Sequence, residues 1–273
     1  MNPYDIHLDG IEIGDFGLSL KDAADHPMAA VTRDRLTTVD GRNGVLDFGM
    51  DSGPILFGLR LQSVTDDEYE LQEILRRFTN FLKDEYGNAR EMPLVFGYEP
   101  DKFYTVRYQG GIVPTRDVRV IGYFVLNLLC AEGYAKAIVS SQDVTWGNEE
   151  LTFASTTYTY GHEASSLSQN FTSPGSMNIE VMGHALQPIL HVMGSGTNVV
   201  IVIGGKQLNL GTFSNTTWLI DFKEKVILKN GVNAIYSGDW MYSYLLPGDN
   251  ITTVNGTGLN LVVSFDYKDI WNG

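Results

Sequence analysis

The chain has 273 residues, a length that suits two domains or one large β domain. Its 33 acidic residues against 19 basic ones give a formal charge of −14, which disfavours any grip on a phosphate backbone or an anionic membrane surface. A hydrophobic share of 43% supplies a packed core, and 29 glycines with 11% aromatics suit short strands joined by tight turns.

In chain order, Tyr4, Ile6 and Leu8 alternate with polar residues before Asp9-Gly10, and Ile11 and Ile13 follow. That pattern predicts a hairpin. Residues 16–20 continue as a strand, 21–30 form a loop containing His26-Pro27, and 31–39 read as an exposed strand. Residues 40–49 hold three glycines, two of which, Gly41 and Gly44, bracket Arg42-Asn43. Glycine reaches positive φ without steric cost, so this spacing predicts a turn that feeds a strand over 45–48, with Arg42 exposed at its tip. Ile55, Phe57, Leu59 and Leu61 alternate as the inner face of a half-buried strand.

Residues 66–86 carry the one helical period. Leu71, Leu75, Phe78 and Leu82 line one face and Ile74 and Phe81 widen it, while Thr65 and Glu68 match a capping box and Gly87 supplies the stop. Strands are predicted over 92–97, 103–109 and 118–130, the last nearly all apolar and expected to be buried on both faces. Valine and leucine thin out over 132–150, and beyond 151 no helical period is visible. Gly204-Gly205 predicts a two-residue hairpin turn, Asn230-Gly231 predicts another turn, and Leu259, Leu261, Val263, Phe265 and Tyr267 alternate in the closing strand. The fold class is therefore mainly β: an α+β N-terminal domain with one helix on a sheet, over 1–133, and a C-terminal antiparallel β-sandwich over 134–273.

Catalytic and metal constellations are not evident. The five histidines, His7, His26, His162, His184 and His191, show neither helical i,i+4 spacing nor a His-x-x-His/Cys pairing. Cys130 is the single cysteine, which leaves no intrachain disulfide, and it sits in the most apolar strand, where a thiol is packing. There is no P-loop, no Gly-x-Ser-x-Gly and no Gly-x-Gly-x-x-Gly. The sequence thus predicts no enzyme, no catalytic residue, no cofactor and no metal. No basic-then-apolar secretory signal opens the chain, and the longest apolar run, 123–131, is too short for a bilayer. Trp146-Gly147-Asn148-Glu149 resembles the Trp-Gly-x-Glu piece of galectins, without the sugar-binding residues galectins place upstream.

Several stretches taken together resemble one family. Asp9-Gly10, Phe16-Gly17-Leu18, Gly41-Arg42-Asn43-Gly44 with Leu46-Asp47, Gly183 with Pro188, Asp221 ahead of Asn230-Gly231, and Leu245-Leu246-Pro247-Gly248-Asp249-Asn250 resemble, in order and spacing, the distal tail proteins (Dit) of siphophages. The resemblance implies a structural virion protein of the tail tip, assembled in the host cytoplasm. Its N-terminal domain forms a hexameric ring, possibly stacked, and a galectin-like sandwich projects from it. The implied partners are the tail tube protein and tail-associated hub or receptor-binding proteins. DNA passes through the ring without specific binding, which suits the acidic balance, and no membrane is involved. Strand edges of the ring-forming half would be closed by a neighbouring subunit, and Arg42 and Asn43 are the candidate subunit-interface residues.

Two alternatives stay open on the residues. One is a carbohydrate-binding module that uses Trp146, Trp218, Trp240 and Tyr242 to stack on cell-wall sugars, against a reading of these rings as core. The other is a glycan hydrolase, which needs two carboxylates across one cleft.

Overall fold

The computed structural model describes residues 4–22, 26–27, 29–118, 120–143, 167–235 and 239–272. The chain divides into two compact units, Met1–Lys136 with Asn272–Gly273, and Ala137–Trp271. Both are built mainly of strands, with one α-helix among the described residues. Trp146 with the rest of its Trp-Gly-x-Glu piece, and His162, lie outside the described residues.

The first unit opens with a hairpin of β1 (Ile6–Leu8) and β2 (Ile11–Glu12), turned by Asp9 and Gly10 at φ 54° and 75°. Two successive positive φ values match the right-handed twist of the flanking strands, which is why Asp-Gly marks such turns. A 3₁₀ turn (Ile13–Phe16) and the short β3 (Ser19–Leu20) replace the strand expected over 16–20. The cause is local: Phe16 turns inward onto the helix, and Gly17 closes the 3₁₀ turn in the left-handed region. Then come β4 (Thr32–Thr38), β5 (Val45–Ser52) and β6 (Ile55–Val64). They are followed by α1 (Glu68–Phe81), β7 (Met92–Phe96) and β8 (Glu99–Tyr108). The unit closes with β9 (Thr115–Val118), β10 (Ile121–Cys130) and β11 (Tyr134–Ala137).

The main sheet runs β2-β1-β7-β8-β10-β6-β3, with β9 also on β10 and β11 on β8. In β6, Ile55, Phe57, Leu59 and Leu61 are all buried, as their alternation predicts. They pack with Leu71, Leu75, Phe78 and Leu82 on the helical face. Phe78 meets Phe16 edge-on at 5.4 Å and lies 6.1 Å from Phe124 of β10. Burial of each such side chain contributes roughly 1.5–3 kcal/mol.

Two further expectations for this unit change. The helix is capped by Asp67, whose carboxylate accepts the Tyr69 amide at 3.2 Å, while the Thr65 hydroxyl donates to the Asp67 and Val120 carbonyls. It ends at Phe81 rather than near Tyr86, because Leu82 dips into the core and the chain reverses into a bridge between Lys83 and Ala89. The long apolar strand is buried on one face only. β10 alternates, leaving Val125 47% exposed beside a buried Phe124 and Leu126, and the stretch ending at Val118 is a separate strand, β9.

The second unit contains β12 (Ser168–Phe171), β13 (Gly175–Val181), β14 (Ile189–Ile203) and β15 (Lys206–Asp221). After these come β16 (Val226–Lys229), β17 (Val232–Asn233), β18 (Gly248–Asp266) and β19 (Ile270–Asn272). Its sheet runs β12-β18-β14-β15-β16-β17, all antiparallel, and β13 pairs the other end of β18. The predicted turns at Gly204-Gly205 and Asn230-Gly231 join Ile203 to Lys206 and Lys229 to Val232, each with two positive φ values. The long strands β14, β15 and β18 shift register around Gly194–Val199. Gly194 sits there at φ 131°, and a Cβ on it would lie 2.0 Å from the Asn260 carbonyl oxygen. Such irregularities bend a strand. Both stretches of the bent sheet feed one core, Val192, Trp218 and Phe265 on one side of the bend with Ile201, Leu208 and Val254 on the other.

Candidate functional site

The hairpin β4–β5 pairs with no other strand among the described residues. Its register runs Thr38↔Val45, Thr37↔Leu46, Leu36↔Asp47, then Asp34↔Met50 and Arg33↔Asp51 beyond a bulge. Every residue of β4 is exposed, and in β5 only Leu46 is half-buried. The exposed side chains include Leu36 at 52%, Phe48 at 62% and Met50 at 64%. Charged residues lie among them: the Arg35 guanidinium donates to Asp51 Oδ1 at 2.8 Å, and Asp47 Oδ1 accepts the Gly49 amide. A solvated ion pair of this kind contributes little stability. What holds the ribbon is its own ladder and the Gly53 amide donating to the Val31 carbonyl at 2.6 Å.

Arg42 and Asn43 sit at the tip and are exposed, as predicted. The Arg42 amide donates to the Val39 carbonyl at 3.1 Å, and Gly41 and Gly44 adopt φ 80° and 86° with open space where a Cβ would be. Backbone geometry, not crowding, is therefore what calls for glycine at both positions.

The loop leading into the ribbon is anchored by His26, which sequence patterning did not single out. Its ring stacks on Phe96 at 4.9 Å and meets Phe57 and Tyr104 edge-on. Both ring nitrogens contact hydroxyls, Nδ1 that of Tyr98 at 2.5 Å and Nε2 that of Tyr104 at 2.9 Å. Burial lowers the His26 pKa, more than Glu99 raises it, and burial, reinforced by Glu99, pushes both tyrosines up. Neutral imidazole offers one donor and one acceptor, so the pair of hydroxyls completes its hydrogen bonding.

Of the aromatic candidates among the described residues, the two tryptophans fall into the core and Tyr242 does not. Trp218 and Trp240 are buried at 0% and 3%, so neither offers a face to a sugar, and Tyr242 is exposed beneath the Lys225 ammonium. Cys130 is buried and burial raises its pKa, which leaves the thiol protonated and inert. Asn250 explains the Pro-Gly turn: its Oδ1 accepts the Leu246 amide at 2.7 Å, and its Nδ2 donates to the carbonyls of Leu246, Gly248 and Ile179. Asp221 does similar work at its own turn by accepting the Lys223 and Glu224 amides, each at 2.9 Å. Among the described residues, no helix is long and apolar enough to cross a membrane.

Comparison with known proteins agrees with this architecture. Residues 11–130 match the phage tail protein RIFT-related domain. The Dit protein (gp 19.1) of SPP1, described as a paradigm of hub adsorption apparatus in phages infecting Gram-positive hosts, is 14% identical with a TM-score of 0.70. The alignment covers 97% of this chain and 98% of that one. A chain of the phage p2 baseplate in its activated conformation with Sr is 9% identical, covering 97% of this chain and 96% of that one at a TM-score of 0.44. No curated protein matches the sequence. Residues 11–130 are thus similar to the phage tail protein RIFT-related domain, and the chain as a whole has a fold similar to that of SPP1 Dit.

Proposed function

We propose that the chain is a structural protein of a phage tail tip and that it works by self-association rather than catalysis. In this reading six copies form a ring at the distal end of the tail. The ring joins the tail tube to the adsorption apparatus, and DNA passes through its centre without being held. Residues 1–133 form the ring and residues 134–273 project from it. The tail-domain match over residues 11–130 supports the assignment to a tail, and the likeness to SPP1 Dit supports a hub.

The observation that carries the self-association is the ribbon of β4 and β5. A lone two-stranded hairpin is at best marginal in water, yet this one presents Leu36, Phe48 and Met50 to solvent. A second copy of this chain is the occupant that fits, because a ring made by one repeated contact covers the same ribbon on every subunit. The tip residues Arg42 and Asn43 then meet the neighbour, and the interspersed Arg33, Arg35, Asp47 and Asp51 set its register. The charge of −14 suits a channel from which DNA must slip.

Replacing Arg42 or Asn43 by Ala tests the contact. Light scattering and negative-stain electron microscopy of the full chain should show weakened rings with an unchanged melting temperature. Assembly equal to that of the parent protein would remove the tip from the interface.

A further inference from the structure

The edge hairpin β1–β2 brings together three side chains that the tail function does not use. Asp5 and His7 are two residues apart on an extended segment and so point to the same side. Glu12 is the direct cross-strand partner of His7 in the β1–β2 register. One ligand atom from each of Asp5, His7 and Glu12 lies within 4.8 Å of the others, and all three residues are half-buried. His7 Nε2 is itself buried and meets no hydrogen-bond partner among the described residues. A buried nitrogen without a partner costs free energy, and a bound ion at this cluster would offset that cost.

We infer that Asp5, His7 and Glu12 form a binding site for a single divalent transition-metal ion of the Zn²⁺ or Mn²⁺ class. One imidazole with two carboxylates selects such ions over Ca²⁺ and Mg²⁺, which take oxygen donors. Three protein ligands leave at least one coordination position for water. The turn at Asp9-Gly10 fixes the distance between the His7 and Glu12 backbones, so the donors converge by side-chain rotation alone. The bound ion ties β2, the edge strand of the sheet, to β1, and replaces carboxylate repulsion with attraction.

The test uses the full chain, stripped with a chelator and titrated with Co²⁺ as a visible probe and with Zn²⁺ by calorimetry. The expected result is one tight equivalent per chain, a ligand-field spectrum with Co²⁺, and a melting temperature that rises with Zn²⁺. Loss of an outer-shell partner alone weakens metal binding about 10–100-fold, so loss of a direct ligand in His7→Gln should weaken it at least tenfold and erase the Co²⁺ spectrum. Glu12→Gln keeps the size of the side chain and decides the matter if His7→Gln misfolds. The exposed Glu70→Gln, on α1, should leave binding unchanged. Metal binding that survives both His7→Gln and Glu12→Gln, or no tight equivalent in the parent protein, would overturn the site.

Discussion

His26 and Tyr104, 78 residues apart in sequence, meet through a 2.9 Å contact between imidazole Nε2 and the phenolic hydroxyl. With Tyr98 on Nδ1, this contact fastens the loop that leads into the exposed ribbon to the sheet of the first unit. Burial holds the His26 pKa below its ordinary value, so the unfolded chain binds this proton more readily than the folded one. The stability tied to neutral His26 is complete above the ordinary histidine value of about 6.5 and is lost as the pH falls from there toward the lowered value. Melting temperatures measured from pH 7.5 downward should therefore decline below about 6.5 before the carboxylates begin to titrate. In His26→Gln that part of the decline should vanish. Equal slopes in the two proteins would show that His26 is not the group responsible.

The ribbon should be worth more to assembly than to the fold. Phe48→Ser removes an exposed ring, and surface changes usually alter stability by less than about 0.5 kcal/mol. If Phe48 anchors a neighbouring subunit, the same change costs about 2 kcal/mol or more per contact, roughly a thirtyfold loss in association. Chemical denaturation and sedimentation on the same variant separate the two effects. A large loss of stability with intact assembly would contradict this assignment.

Asn250 should be structurally demanding. Its amide makes one acceptor bond and three donor contacts around the Leu246–Gly248 turn, and Asn250→Asp keeps the shape while removing the donors. The lost bonds, at a largely exposed turn, predict a cost of about 0.5–1.5 kcal/mol by denaturant unfolding. A change below about 0.5 kcal/mol would mean that the turn holds without its side-chain staple.

Gly194→Ala tests the bend of the second unit. Both the φ of 131° and the 2.0 Å approach to the Asn260 carbonyl oppose a Cβ, so β14 and β18 must separate to admit it. We expect a loss of about 2 kcal/mol or more in stability, from backbone strain alone and before any loss of pairing. An unchanged melting temperature would imply that the strands accommodate the methyl group freely.

Much of this fold was legible in the sequence where a physical constraint is local. The turns at Asp9-Gly10, Gly204-Gly205 and Asn230-Gly231 need two consecutive positive φ values, and few residue pairs supply them. The alternation of Ile55 to Leu61 and of Leu259 to Tyr267 follows the pleat of a strand. The end of α1 was not legible, because Leu82 continues the apolar period while its backbone has left the helix. The one-sided burial of β10 was not legible either: an apolar run does not say which face meets water, and Val125 and Leu129 look alike in a sequence.

The ribbon and its tip could be placed from glycine spacing, and the mixed charge of 31–39 marked that strand as exposed, but the exposure of β5 could not be read, because Phe48 and Met50 look like core residues in a sequence. His26 was passed over because its partners Tyr98 and Tyr104 are 72 and 78 residues away and no spacing rule connects them. Asp5, His7 and Glu12 escaped a search for helical spacing. A strand site shows itself by an i,i+2 pair facing a residue across a two-residue turn.

Self-association through the ribbon can be seen by imaging the purified full chain. Electron microscopy paired with mass photometry should show six-fold rings that are lost in a protein carrying Arg42→Ala and Phe48→Ser together. A particle that stays monomeric at high concentration, with tail partners added, would rule out assembly through the ribbon.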